Sequence, residues 1–114
     1  MDMQEILSQY NELCEDNDWH VFHTPKNLAA ALNVNSAKIL EHFQWITEEE
    51  SFSLARIPDR KQVIGRDLAA TFFTIMALAN KLNIDLESEI ITKLKEDSST
   101  YQGMPEDLDS SIEL

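Results

Sequence analysis

Residues 18–50, "DWHVFHTPKNLAAALNVNSAKILEHFQWITEEE", hold most of the side chains with which this chain could do chemistry. Trp19 and Trp45 offer flat rings, His20, His23 and His42 offer titratable nitrogens, and Glu41 and Glu48 to Glu50 offer carboxylates. Two acids three residues apart share one face of a helix and can gather a divalent cation. The middle of this stretch, where such a pair would sit in a catalytic helix, reads Asn35-Ser36-Ala37-Lys38. An amide and an ammonium stand there instead. Glu48 to Glu50 read as a solvated helix end. Cys14 falls in a helical pattern with no base beside it, so it reads as a packing residue rather than a nucleophile. A single cysteine also excludes an intrachain disulfide and a multi-cysteine zinc site.

The elements that position these groups are helical. Two glycines and three prolines in 114 residues are too few for the turns of an all-β protein. Residues 2–16 open with the capping-box-like pair Asp2 and Glu5 and set Ile6, Tyr10 and Leu13 on one stripe. Thr24 as N-cap and Pro25 at the first helical position start a second helix, expected to run to about Trp45 with Leu28, Leu32, Ile39 and Phe43 inward. Asp59 and Gln62 form another capping-box-like pair ahead of "DLAATFFTIMALANKL", a third helix apolar almost all round. Such a helix is covered on most sides, by its own domain or by another subunit. Asp85 caps a fourth, with Leu86, Ile90, Ile91 and Leu94 expected on its inner face. The fold class is therefore all-α, a small four-helix bundle over residues 1–102, expected to form a dimer or tetramer.

Residues 103–114, "GMPEDLDSSIEL", are acidic and without a period, and read as a flexible tail with partner binding as the alternative. The formal charge of −12 opposes binding a nucleic-acid polymer, which needs clustered Lys and Arg. A single nucleotide needs only a local positive pocket or a metal. No run is expected to reach transmembrane length, and the N-terminus lacks a basic leader, so no membrane association and a cytoplasmic location are expected.

One pattern is more specific than amphipathic helices. Asp18-Trp19-His20-Val21-Phe22-His23-Thr24-Pro25-Lys26-Asn27-Leu28, followed by Phe43-Gln44-Trp45, resembles the motif D-W-x-x-F-H-x-P-R-N-L with a later F-Q-W. That motif marks the all-α nucleotide pyrophosphohydrolases, the MazG-like superfamily, and most closely its dCTP pyrophosphatase branch. "DLAATFFTIMALANKLNIDL" is similar to the family's E-L-A-D-V-L-x-Y-L-x-x-L-A-x-x-L-x-I-D-L. The likeness covers about residues 18–101 with few or no gaps.

The resemblance implies cleavage of a nucleoside triphosphate to monophosphate and pyrophosphate. The triphosphate repels hydroxide, so such sites use Mg²⁺ to neutralise phosphate oxygens and to acidify a bound water. The family holds that metal with E-x-x-E on the second helix and E-x-x-D on the third. Laid over this chain, those four positions are Asn35, Lys38, Asp67 and Ala70. One carboxylate of four survives, as an Asp one carbon shorter than the Glu it replaces. Lys38 adds a like charge where the cation would sit, costing roughly 4 kcal/mol per unit charge at 4 Å and an effective dielectric of about 20.

The same comparison marks further positions. Glu41 matches another family acid, and with Asp67 it forms an alternative metal site. Lys93 and Tyr101 match phosphate-contacting positions, whereas Asp97 and Thr100 replace an Asn and an Arg and weaken anion binding. Thr74 replaces an aromatic residue one turn beyond E-x-x-D. Trp19 and Trp45 match the tryptophans that sandwich the pyrimidine, and His23 and Asn27 match residues lining its pocket. Stacking a base contributes roughly 1–3 kcal/mol per contact. The plain alternative for both tryptophans is core packing, and for His23 a helix-flanking hydrogen bond. His20 and His42 read as surface residues.

Two functions from different classes follow. One is a non-catalytic relative without Mg²⁺ that binds a nucleoside, a nucleotide or a protein partner, with a Lys38–Asp67 ion pair bridging the helices where the metal stood. The other is a divergent Mg²⁺-dependent enzyme with a site rebuilt on Glu41, Asp67 and the acids at 48–50. A third reading keeps the assembly alone, with the pocket collapsed.

Overall fold

The computed structural model describes residues 2–102, with side chains through Ser99; the residues assigned above to an acidic tail, 103–114, lie outside the described part. Two units are distinguished, the first through Asn83 and the second from Ile84. Among the described residues every regular element is helical.

In the first unit, α1 spans Met3–Asp16 and begins where expected: Asp2 accepts the Glu5 amide at 2.8 Å. The chain leaves α1 through Asp18, whose φ of 56° is a left-handed value that Asp tolerates better than most residues. A short 3-10 turn, Trp19–Phe22, follows. α2 runs from Pro25 to Glu41, with Thr24 accepting the Asn27 amide at 3.1 Å. It stops about one turn before Trp45, because Phe43 and Gln44 both donate to the Leu40 carbonyl and close a turn. Leu28 is buried, and Leu32, Ile39 and Phe43 are half-buried, so the expected inward stripe is present.

The segment expected as a polar linker contains a helix of its own, α3, Glu48–Ser53. Its signal is the capping box Thr47-x-x-Glu50, with both reciprocal bonds at 3.1 Å. The pattern stands in the sequence; reading the three glutamates as a helix end obscured it. α4 spans Pro58–Lys81 and starts at Pro58 without a side-chain cap, so Asp59 lies inside its first turn rather than capping it.

α4 packs chiefly on α2 and also on α1. Its Thr74, Met76, Ala77 and Ala79 are buried, together with Leu28 and Cys14, and these residues are the core. Cys14 is thus the packing residue its pattern implies. By length and composition alone α4 could cross a membrane, contrary to the expectation that no run would reach that length. Its buried stretch and its charged Asp67, held by a neighbouring helix, mark it as the core helix of this unit. Val63, Leu68 and Phe72 on α4 are exposed, so the helix has apolar surface that its own unit leaves uncovered.

The second unit contains α5, Leu86–Gln102, which Asp85 caps by accepting the Ser88 amide at 3.1 Å. The expected inner face is not covered: Leu86 is half-buried, but Ile90, Ile91 and Leu94 are exposed. Among the described residues of this unit there is no second element against which it could pack.

Candidate ligand site between α2 and α4

The seam between α2 and α4 brings together the positions that the resemblance assigned to metal. Asn35 lies on the α2 face that meets Thr74, and its Nδ2 donates to Thr74 Oγ1 at 2.8 Å. Thr74 is 8% exposed, and its hydroxyl in turn donates to the Ala70 carbonyl at 3.0 Å. The hydroxyl therefore both accepts and donates, and leaves no buried orphan. Two of the four family positions, Asn35 and Ala70, are thus joined by a neutral chain through Thr74.

Further along the seam, His42 Nε2 lies 2.7 Å from Asp67 Oδ2. An ionised carboxylate only accepts, so Nε2 carries the proton and donates. The contact is partly sheltered, with side chains 11% and 26% exposed. This corrects two expectations. Asp67 is paired with His42 rather than Lys38, and His42 is not a surface residue. The turn that ends α2 carries the imidazole to the seam, while Lys38, one turn earlier, is exposed and forms no ion pair with Asp67.

Lys38, Glu41, His42, Arg60, Val63 and Asp67 line a depression of about 420 Å³. Arg60 comes from the first turn of α4 and was not singled out by the sequence. Its signal was weak, since an arginine near a helix start usually faces water. A Mg²⁺ ion requires hard oxygen donors in a near-octahedral set. The seam offers an amide already bonded to Thr74, an ammonium, a methyl group and a carboxylate already bonded to His42. Glu41 and Asp67 share the depression, yet no group of three His, Cys, Asp or Glu side chains among the described residues is arranged to hold a metal. The donors present do not fit Mg²⁺.

The base-side residues are separate features. Trp19 sits in the 3-10 turn and is 43% exposed, whereas Trp45 follows α2 and is 88% exposed, so Trp45 is not a core residue. Among the described residues no ring stack joins the two. His23 lies parallel to Tyr10 with centroids 6.4 Å apart, and Tyr10 lies on Phe73 at 4.8 Å. Burial, then the Lys81 ammonium, then His20 lower the His23 pKa and favour the neutral imidazole. Asn27 donates from Nδ2 to the Phe22 carbonyl at 3.1 Å, which fixes the turn entering α2. In the second unit Lys93 pairs with Asp97 at 2.9 Å, one turn along α5. The side chain of Tyr101 lies outside the described residues.

The chain is similar to dCTP pyrophosphatase 1 of Mus musculus, 27% identical over 99 residues, covering 87% of this chain and 58% of that one. The Homo sapiens protein of the same name is 27% identical over 92 residues, covering 81% and 54%. The chain thus spans less than two thirds of these relatives. The crystal structure of a pyrophosphatase from Archaeoglobus fulgidus superposes with a TM-score of 0.79 at 27% identity, covering 87% of this chain and 91% of that one. No family model matches.

Proposed function

Since this chain is a dCTP pyrophosphatase-like relative in the MazG superfamily, we propose that it has lost Mg²⁺-dependent triphosphate hydrolysis and acts as a nucleotide-binding or regulatory module. One observation carries this reading. The single acid left at the four family positions, Asp67, is bonded to His42, and Asn35 is bonded to Thr74. A metal would have to displace both contacts and then approach Lys38. Without the cation the attacking hydroxide meets the full triphosphate charge.

The ligand is a pyrimidine nucleoside or nucleotide, with Trp19 and Trp45 as base-stacking rings and His23 and Asn27 beside them. The exposure of both tryptophans supports this, because a stacking platform must be open before its ligand arrives. The exposed apolar surface of α4, and a depression of about 320 Å³ beside it that includes Phe43, Leu54, Ile64 and Leu68, support a homo-oligomer, a dimer or tetramer. A protein partner on the acidic surface is the competing occupant, and the location is cytoplasmic.

The test is a pyrophosphate-release assay with dCTP and Mg²⁺, run beside titration calorimetry. Binding without turnover is the expected result. Turnover above a no-protein control that is lost in Glu41→Gln and Asp67→Asn would instead establish a rearranged active site. Tryptophan fluorescence unmoved by every nucleotide would leave the assembly as the surviving role, and a monomer in light scattering at micromolar concentration would remove the oligomer.

A further inference from the structure

We propose that the chain pairs with a second copy of itself through the apolar hollow beside α3 and α4, each copy's Phe52 entering the other's hollow. The inference rests on the oligomer reading above and names the surface that forms it. The hollow, of about 320 Å³, is lined chiefly by Phe43, Leu54, Ile64, Gly65 and Leu68, and Lys61 is its only ionisable lining residue. Gly65 sets it apart from ordinary exposed apolar surface. That residue lies inside the 24-residue helix α4, where glycine weakens a helix relative to alanine. Its φ is not positive, and nothing beyond the adjoining backbone lies within 4 Å of where a Cβ would stand. Neither backbone conformation nor packing within the chain therefore requires a glycine there. Close approach by a group from outside does, because a side chain at 65 would take up the hollow.

The rim of the hollow marks what enters it. Phe52 is 78% exposed, and its neighbours Ser51, Leu54 and Ala55 all line the hollow. A protruding ring beside a hollow on one face is self-complementary, since a two-fold rotation brings each ring to the other copy's hollow. Charge agrees with that pairing. Glu48 and Glu49 stand one turn before Phe52 on its own side of α3. A ring that enters the hollow therefore brings these carboxylates towards the other copy's Lys61. Leu68 and Phe72, one turn apart on α4 and both exposed, continue the apolar face beyond the hollow.

Sedimentation velocity of the full chain over a range of concentrations tests this, with Phe52→Ser removing the ring and Gly65→Leu filling the hollow. The parent is expected to associate, and each variant to do so at least about thirtyfold more weakly, the scale of an interface hot spot. A tetramer would fall to dimers, and a dimer to monomers. A one-to-one mixture of the two variants keeps one ring matched to one open hollow, so it associates more tightly than either variant alone. Val63→Ser, in the depression lined by Lys38 and Asp67, changes nothing. Both target positions are exposed, and leucine suits a helix better than glycine, so neither variant should lower the melting temperature of the dissociated chain. A parent that stays monomeric overturns the oligomer reading and the pairing with it. An oligomer that either substitution leaves intact, or a mixture no tighter than its components, overturns this surface alone. So does an oligomer that Phe52→Ser spares and Ile90→Ser disrupts, by placing α5 at the interface instead. Gly65→Leu melting below Phe52→Ser would show the glycine serving its own fold, and would also sink the pairing.

Discussion

His42 Nε2 and Asp67 Oδ2 stand 2.7 Å apart across the seam of α2 and α4. The bond occupies the carboxylate that a metal would need, and it ties the end of one helix to the middle of another. Partial burial of both side chains protects it from the screening that makes surface pairs weak. Removing either partner is therefore expected to cost about 1.5–3 kcal/mol, the range for hydrogen bonds to charged groups. A double-mutant cycle of His42→Ala and Asp67→Ala by urea denaturation measures it. Lys38→Ala should change stability by less than about 0.5 kcal/mol, as exposed substitutions usually do. A larger coupling of Lys38 than of His42 to Asp67 would contradict the geometry.

The Asn35–Thr74 bond makes a second stability prediction. Thr74→Val keeps the shape of the side chain but removes the hydroxyl, leaving the half-buried Asn35 amide without its acceptor. The loss should be about 1–3 kcal/mol, and Thr74→Ser should recover most of it. Equilibrium unfolding of the three proteins decides this, and a neutral Thr74→Val would mean that water replaces the hydroxyl.

The lowered pKa of His23 gives a pH dependence with a definite sign. In the fold the neutral imidazole is favoured, chiefly by burial, and the unfolded chain binds the proton more readily. The contribution to stability is present above the ordinary histidine value of about 6.5 and is lost as pH falls through the lower folded value. Acidification also relieves the self-repulsion of a chain carrying −12, so the useful quantity is a difference. The stability of the parent minus that of His23→Gln should shrink as pH falls from about 7.5 to about 5. A difference that grows would reverse the assignment.

Tyr10 should be visible in alkaline titration. Burial first, and then the adjacent Cys14, raise its phenol to about 12. The neutral phenol is favoured in the fold, so its contribution persists below the ordinary value and is lost as pH rises through about 12. Absorbance at the phenolate band should show a late-titrating tyrosine that disappears in Tyr10→Phe.

Much of this fold was legible because local chemistry agreed with it. Asp2, Thr24, Pro25 and Asp85 mark helix starts by satisfying or sparing orphan amides, and the structure uses each of them so. α3 was missed although Thr47 and Glu50 announce it, since six residues carry no period long enough to recognise. The changes at 35, 38, 67 and 70 emerged once the chain was laid over the family motif it resembles. The bonds that these side chains make could not emerge so, because Asn35 and Thr74 are 39 residues apart and His42 and Asp67 are 25 apart. Such pairings depend on how two helices roll against each other, which no single helix encodes. Arg60 joined the site for the same reason.

The acids that the resemblance leads one to expect at 35, 38 and 70 can be introduced. If the lost acids are what separate this chain from a Mg²⁺ site, restoring them should restore metal binding before any catalysis is asked of it. Asn35→Glu, Lys38→Glu and Ala70→Asp, added to the native Asp67, rebuild both pairs at a spacing of three. Without metal this variant should be less stable than the parent. It gathers like charges at one seam, breaks the Asn35–Thr74 bond and draws on an Asp67 already bonded to His42. Mg²⁺ should then raise its melting temperature in proportion to occupancy, while the parent does not respond. Adding His42→Ala should strengthen the effect by releasing Asp67. A parent chain stabilised by Mg²⁺ as strongly as the rebuilt one would show that a metal site survives without those carboxylates, and the case for lost hydrolysis would fall with it.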